Sequence, residues 1–420
     1  MKKFVSISFV ILLTILTIFI YVKDKELDDI LPFLDKGVGH WEKTGNMITP
    51  RGAGTSAVLL SDGNVLISGG YDGKQYLKSA EIYYPKENIF RPVGNLTQKR
   101  FGHLSFLLNN GEVVILGGIT NDKKGYTDDV EIYNPKNKMF IKTDQLPERF
   151  SNDSILMNNG YIFSQNAIYN PSVKDYKKIN INYARIGTTP VEFNGNAYVI
   201  NGMIPKDYPY GKLNNKITPK KGGGFIYTNI IEKFDFANNS YSIKGKSVIP
   251  KTASGLIALS DGKILIVGGH VYKSSGTGSD DGILDYDIYR HNIMPLYKSK
   301  FKKHYWWWKD SDQNLEIFDT TNNTSKIVGQ KLQYAFGNHS NSDLILLKNR
   351  YVFVANGCGR RAEIIDTKTW TNYPVKKMPK PILTNSIPIK IDENTILFIG
   401  EHIYKSLPYG YIFRLDNIKE

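Results

Sequence analysis

Basic residues recur in this chain at one place, just ahead of an apolar run that reads as a strand. Arg51, Arg100, Arg149, Arg185 and Lys251 stand there, with His339 near the equivalent spot further on. Gathered in space, such cations would form a ring able to take an acidic ligand through charge-assisted hydrogen bonds. A recurring carboxylate offers them another partner: Glu81, Glu131, Glu232, Glu316 and Glu363 fall at one repeated place in a later strand. Repetition in copy after copy suits a structural ion pair better than a site, because a ligand breaks symmetry and an unpaired buried charge is expensive.

A second group of candidates lies in an interruption of the pattern. Residues 271–314 separate Gly268-Gly269-His270 from Leu315, and their second half holds Lys298, Lys300, Lys302, Lys303, His304, Tyr305, Trp306, Trp307, Trp308 and Lys309. Indole rings beside ammonium groups stack on sugars, insert at a lipid headgroup boundary or grip an acidic partner, and they serve equally to pin an insertion to its parent body. A smaller interruption, Met203 to Asn229, carries Tyr208, Tyr210, Lys220, Lys221 and Gly222-Gly223-Gly224.

Catalytic chemistry is poorly represented. The seven histidines, His40, His103, His270, His291, His304, His339 and His402, show no HxH or HExxH spacing, so no metal is expected. The single cysteine, Cys358, rules out an intrachain disulfide and a CxxC site. Neither a GxSxG nucleophile elbow nor a P-loop occurs, and no cofactor is expected.

The elements that must position these residues repeat after residue 50. The clearest copy begins at Arg51, runs through Ala57, Val58, Leu59 and Leu60, turns at Asp62-Gly63, and continues through Val65, Leu66 and Ile67 to Gly69-Gly70. Asx-Gly between apolar runs is the strongest short-range hairpin signal, because the tight turn needs positive φ at both central residues. It recurs at Asn110-Gly111, Asn159-Gly160 and Asp261-Gly262, with Asn194-Gly195 a looser match. A third strand follows at Ala80-Glu81-Ile82-Tyr83, Val130-Glu131-Ile132-Tyr133, Ile231-Glu232-Lys233-Phe234, Leu315-Glu316-Ile317-Phe318 and Ala362-Glu363-Ile364-Ile365. A fourth carries one aromatic near its start: Phe90, Phe140, Tyr176, Tyr241 and Trp370. A single such unit cannot bury both faces of its own sheet, so the repeats must close or stack.

Together these motifs resemble the kelch repeat, over about residues 40 to 416. Some copies depart from its pattern: Ser164-Gln165 stands for Gly-Gly in the third, and the seventh ends at Gly400-Glu401. The resemblance implies an all-β propeller of four-stranded blades, seven in number, or six if the third or seventh copy is degenerate. It also implies closure by a blade made from both termini, with His40-Trp41-Glu42-Lys43 completing the sheet of Tyr411 to Leu415. The starts of the inner strands then lie on the rim of a central channel. The expected ligand-binding set on that rim is Arg51, Arg100, His103, Arg149, Arg185, His270, Tyr305, Trp306, Trp307, Trp308 and His339.

Two activities known on such propellers serve as tests. Copper-radical oxidation needs a Cys joined to a Tyr and a Tyr next to a His, and no Tyr-His dipeptide occurs here. An isomerase similar to the kelch sialate mutarotases needs no cofactor and stays open as the alternative. It calls for Arg100, Arg149 or Arg185 in the channel beside an unpaired carboxylate, whereas a scaffold calls for the same arginines bonded to a strand glutamate.

Phe4 to Val22 is an unbroken uncharged, mostly apolar stretch flanked by Lys2, Lys3 and Lys23. As a helix it would span about 28 Å, close to the hydrocarbon thickness of a bilayer. No alanine precedes Ala53, which argues against a small-residue cleavage site. Residues 1–22 therefore read as a membrane anchor, 23–39 as a linker and 40–420 as the propeller, with the short tail in the cytoplasm and the propeller outside. A net charge of +14 favours anionic partners, but the lysines are scattered through nearly every loop, so nucleic acid is not expected. The partners that remain are a protein or an acidic or carbohydrate ligand at the rim, and a membrane at the N-terminal helix.

Overall fold

Strand Val65–Gly69 is buried at every position because both of its faces are covered. Val65 and Ile67 join one apolar cluster with Leu397, Ile399 and Ile412, whereas Leu66 joins another with Val113, Ile115 and Tyr133. Alternation along a strand sends neighbouring side chains to opposite faces. A continuous apolar run therefore marks a strand sandwiched between two other sheets, as each second strand here is.

The computed structural model describes residues 35–120, 125–148, 150, 153–179, 185, 187–205, 220–222, 225–271, 312–333, 344–355, 362–379, 387–400 and 406–418. The expected anchor, residues 1–22, and most of the expected linker lie outside them. No helix among the described residues is long and apolar enough to cross a membrane.

Seven four-stranded antiparallel sheets follow one another along the chain. Blade 1 is Thr55–Leu59, Val65–Gly69, Ala80–Tyr84 and Ile89–Pro92, and the order within each sheet repeats from inner to outer strand. Seven apolar clusters sit one at each junction between consecutive blades, including the junction of blade 7 with blade 1. The described residues thus form an all-β, seven-bladed propeller, and the count of six is set aside. The third copy, despite losing Gly-Gly, forms a complete sheet whose two inner strands are only Ile155–Leu156 and Ile162–Phe163.

Closure follows the expectation from both ends. His40–Arg51 is the outer strand of blade 7 and pairs antiparallel with Leu407–Arg414, Trp41 opposite Phe413. The Trp41 ring lies 5.1 Å from that of Phe413 and 5.3 Å from that of Phe398, and its indole N–H donates to the Lys376 carbonyl at 2.6 Å.

Two local expectations are corrected. At Asp62-Gly63 only the glycine has a positive φ, and Leu60 N–H bonds to the Asn64 carbonyl across a longer turn. Asn194-Gly195, the looser match, is the two-residue turn: both residues have positive φ, and Phe193 pairs directly with Asn196. Trp370 does not start an outer strand. It has φ 58° in the turn, as Asn88 and Lys138 do, and Asn372 takes the paired position that Phe90 and Phe140 hold.

The second interruption builds structure of its own. Met203–Pro205, Lys220–Gly222 and Phe225–Tyr227 form a three-stranded sheet raised from the connection between the second and third strands of blade 4.

Candidate binding rim

The recurring base and the recurring glutamate meet inside each of four blades. Arg51, fully buried, sets Nη2 at 3.1 Å from Glu81 and Nη1 at 2.9 Å from the carbonyls of Gly69 and Ser79. Arg100 donates through Nε at 2.9 Å and Nη2 at 2.7 Å to one oxygen of Glu131, and through Nη1 to the Gly117 carbonyl at 2.5 Å. Arg185 pairs with Glu232 and donates to the carbonyls of Asn201 and Ile230. Lys251 donates to Asp312 at 2.8 Å and lies 3.3 Å from Glu316.

Glu81, Glu131 and Glu316 also receive the backbone that arrives from the preceding blade. Ile48 and Thr49 N–H donate to Glu81 at 2.8 and 3.0 Å, Thr97 N–H to Glu131 at 2.7 Å and Val248 N–H to Glu316 at 2.6 Å. The incoming link and its base therefore dock together on the third strand of the blade they enter. Burial pulls the Arg51 and Arg100 guanidinium groups below the usual arginine range, and their glutamates push back. In blade 5, burial and then the neighbouring Asp312 raise the Glu316 carboxyl, with Lys251 opposing.

The structure places Arg51, Arg100 and Arg185, three of the expected rim residues, inside the blades, their charged ends bonded to glutamates and buried from solvent. His103, also expected on the rim, is buried as well. Its Nε2 lies 2.8 Å from Ser68 Oγ, and burial, with Arg100 and Arg51 nearby, depresses its pKa to about 3, so it is neutral. His270 is half-buried where Thr252 and His270 pair across the mouth of blade 5. Arg149, Tyr305, Trp306, Trp307, Trp308 and His339 lie outside the described residues. Among the described residues, no group of three or more His, Cys, Asp or Glu is placed to hold a metal ion.

What the rim does present is aromatic. The loop after Gly69-Gly70 folds back so that Tyr71 bridges Tyr76, their rings 6.1 Å apart, and Tyr76 lies 5.2 Å from Phe101 at a tilt of 33°. All three are half-buried. The row is held from below: Gly52 N–H donates to the Tyr71 carbonyl, and an added Cβ at Gly54 would stand 2.4 Å from the Phe101 ring. These aromatics were not among the expected site residues. Their signal was available, since Tyr71 and Tyr76 bracket a glycine in a variable loop and Phe101 directly follows a tether arginine.

Seven such sheets latched by the two ends of one chain define a closed β-propeller. Residues 55–97, which span blade 1 and the start of the link beyond it, match the Kelch motif. A stretch of 113 residues is 26% identical to spermatocyte protein spe-26 of Caenorhabditis elegans, covering 26% of this chain and 19% of that protein. Motif and architecture agree, and the chain is a kelch-repeat β-propeller. Propellers of this kind commonly serve as protein-interaction modules.

Proposed function

We propose that this chain is a non-catalytic binding module, held at a membrane by its N-terminal segment with the propeller outside the cytoplasm, and that its rim takes a protein partner. The observation that supports this reading is the state of the arginines. Of the three arginines that separate the scaffold from the isomerase, Arg100 and Arg185 are bonded to strand glutamates, the arrangement a scaffold calls for, and Arg149 lies outside the described residues. The surface left on that rim offers stacking area and ammonium groups, which recognise a partner without transforming it.

Two experiments test the two halves. A photo-crosslinking residue placed in the full chain at Tyr126, on the rim, should yield protein adducts in cells, and one at Asn110, on the hairpin face, should not. Adducts at Asn110 alone, or at neither, would overturn the rim reading. Resistance of the full chain to carbonate extraction, with protease access to the propeller in intact cells, supports the tether and its orientation; complete release removes both.

A further inference from the structure

Most lysines that reach carboxylates on this propeller are matched one to one, as Lys142 is with Asp129 at 2.8 Å and Lys177 with Asp175 at 2.9 Å. The rim of blades 1 and 2 breaks that habit. Lys74 and Lys78 stand on either side of Tyr76 along the chain and Lys99 two residues ahead of Phe101, and none of the three is in an ion pair among the described residues. Lys99 Nζ donates to the neutral Gln75 side chain at 2.6 Å. The local carboxylate, Asp72, is turned into its own hairpin, accepting from the N–H groups of Lys74 and Gln75 at 2.8 Å each.

We propose that this strip is the docking surface for an extended acidic segment of a partner protein. The inference rests on the rim reading above and adds its place and chemistry. Three ammonium groups outnumber the one local carboxylate beside this row, an excess that selects negative charge and steers its approach. The half-buried rings supply contact area already ordered by Gly52, Gly54 and the Tyr71–Tyr76 bridge, so little entropy is lost on binding. The row covers two ring spacings, 6.1 and 5.2 Å, a length that an extended peptide rising about 3.3 Å per residue spans in three or four residues. A sugar ligand fits less well, since stacked sugars need neutral acceptors beside the ring to take their hydroxyl protons and this border is ammonium.

The test uses the purified full chain in detergent and a fluorescein-labelled random Glu–Tyr copolymer, with polyglutamate and polygalacturonate as comparison probes. The copolymer should bind more tightly than polyglutamate, and its affinity should fall with salt. Tyr76→Ala and Lys99→Glu should each weaken it by about tenfold, the loss of roughly 1.4 kcal/mol of contact. Lys177→Glu, on another face, should leave binding unchanged and shows that bulk charge is not responsible. Equal binding by wild type and both rim variants, or a preference for polygalacturonate, overturns the proposal. If rim crosslinks in cells survive Tyr76→Ala and Lys99→Glu, this inference fails alone; if no rim crosslinks form in wild type, the parent reading fails.

Discussion

Phe150 and Ala167 take, in blade 3, the two places that Arg100 and Glu131 hold in blade 2. Phe150 follows Leu146 as Arg100 follows Leu96, the leucines donating their N–H to the Asp128 and Lys78 carbonyls just ahead of the third strand of the blade being left, and Ala167 precedes Ile168-Tyr169 as Glu131 precedes Ile132-Tyr133. Phe150 and Ala167 belong to one apolar cluster. Cation and carboxylate have been lost together, as expected where either alone would be a buried unpaired charge.

That substitution supplies a direct experiment in blade 2. Glu131→Ala leaves Arg100 buried with carbonyl partners only and should cost about 3–5 kcal/mol in urea unfolding. The double variant Arg100→Phe with Glu131→Ala copies blade 3 and should recover part of that loss. A double variant no more stable than the single one would mean that the ion pair is not the tether.

Ring closure is tested at Trp41. Trp41→Ala removes the ring that lies against Phe413, Phe398 and Phe353 and should lower stability by about 2–4 kcal/mol, below the full cost of an aromatic truncation because the indole is half-exposed. The loss should appear as a single earlier thermal transition of the whole propeller. An unchanged transition would show that the terminal strand is dispensable.

His103 makes stability depend on pH. Its native pKa is about 3, against 6.5 for the free side chain, so the unfolded chain binds a proton through that window and the native chain does not. Stability from this group is present above pH 6.5 and is lost as the pH falls toward 3, by up to about 1.4 kcal/mol per pH unit. The slope of unfolding free energy between pH 4 and 6 should be shallower in His103→Asn by that amount, measured by urea titration at each pH.

The large interruption should be removable. Asp312 N–H donates to the Gly269 carbonyl at 2.8 Å, so the chain leaves and returns at neighbouring points. Replacing residues 272–311 by a short glycine linker should leave the unfolding midpoint unchanged or slightly raised, since shortening a loop costs little closure entropy. Asp312 must be kept, because Lys251 is bonded to it.

The repeat was legible in the sequence wherever a local rule dictates it. Apolar runs, the hairpin glycines and the Ala-Glu-Ile-Tyr strand each state their own conformation, and the pairing of Arg with Glu followed from the cost of burying either alone. What escaped depends on contacts between blades. Arg149 looked like another tether, but the position is held by its neighbour Phe150, a shift of one residue that only the partner strand reveals. Trp370 looked like Phe90 for a similar reason. At Gly94 an added Cβ would stand 2.6 Å from the Lys138 carbonyl of the next blade, a constraint with no local signature. The Tyr71–Tyr76–Phe101 row joins two loops distant in sequence, and strand periodicity says nothing about loops.

Trp41 and Phe413 also set an order of events during synthesis. Among the described strands His40–Arg51 leaves the ribosome first, yet its partner Leu407–Arg414 is the last of them to emerge. Throughout elongation the earliest strand must wait with its indole uncovered, and a nascent chain cut short anywhere before residue 407 keeps an open, adhesive sheet edge for quality-control proteases to find.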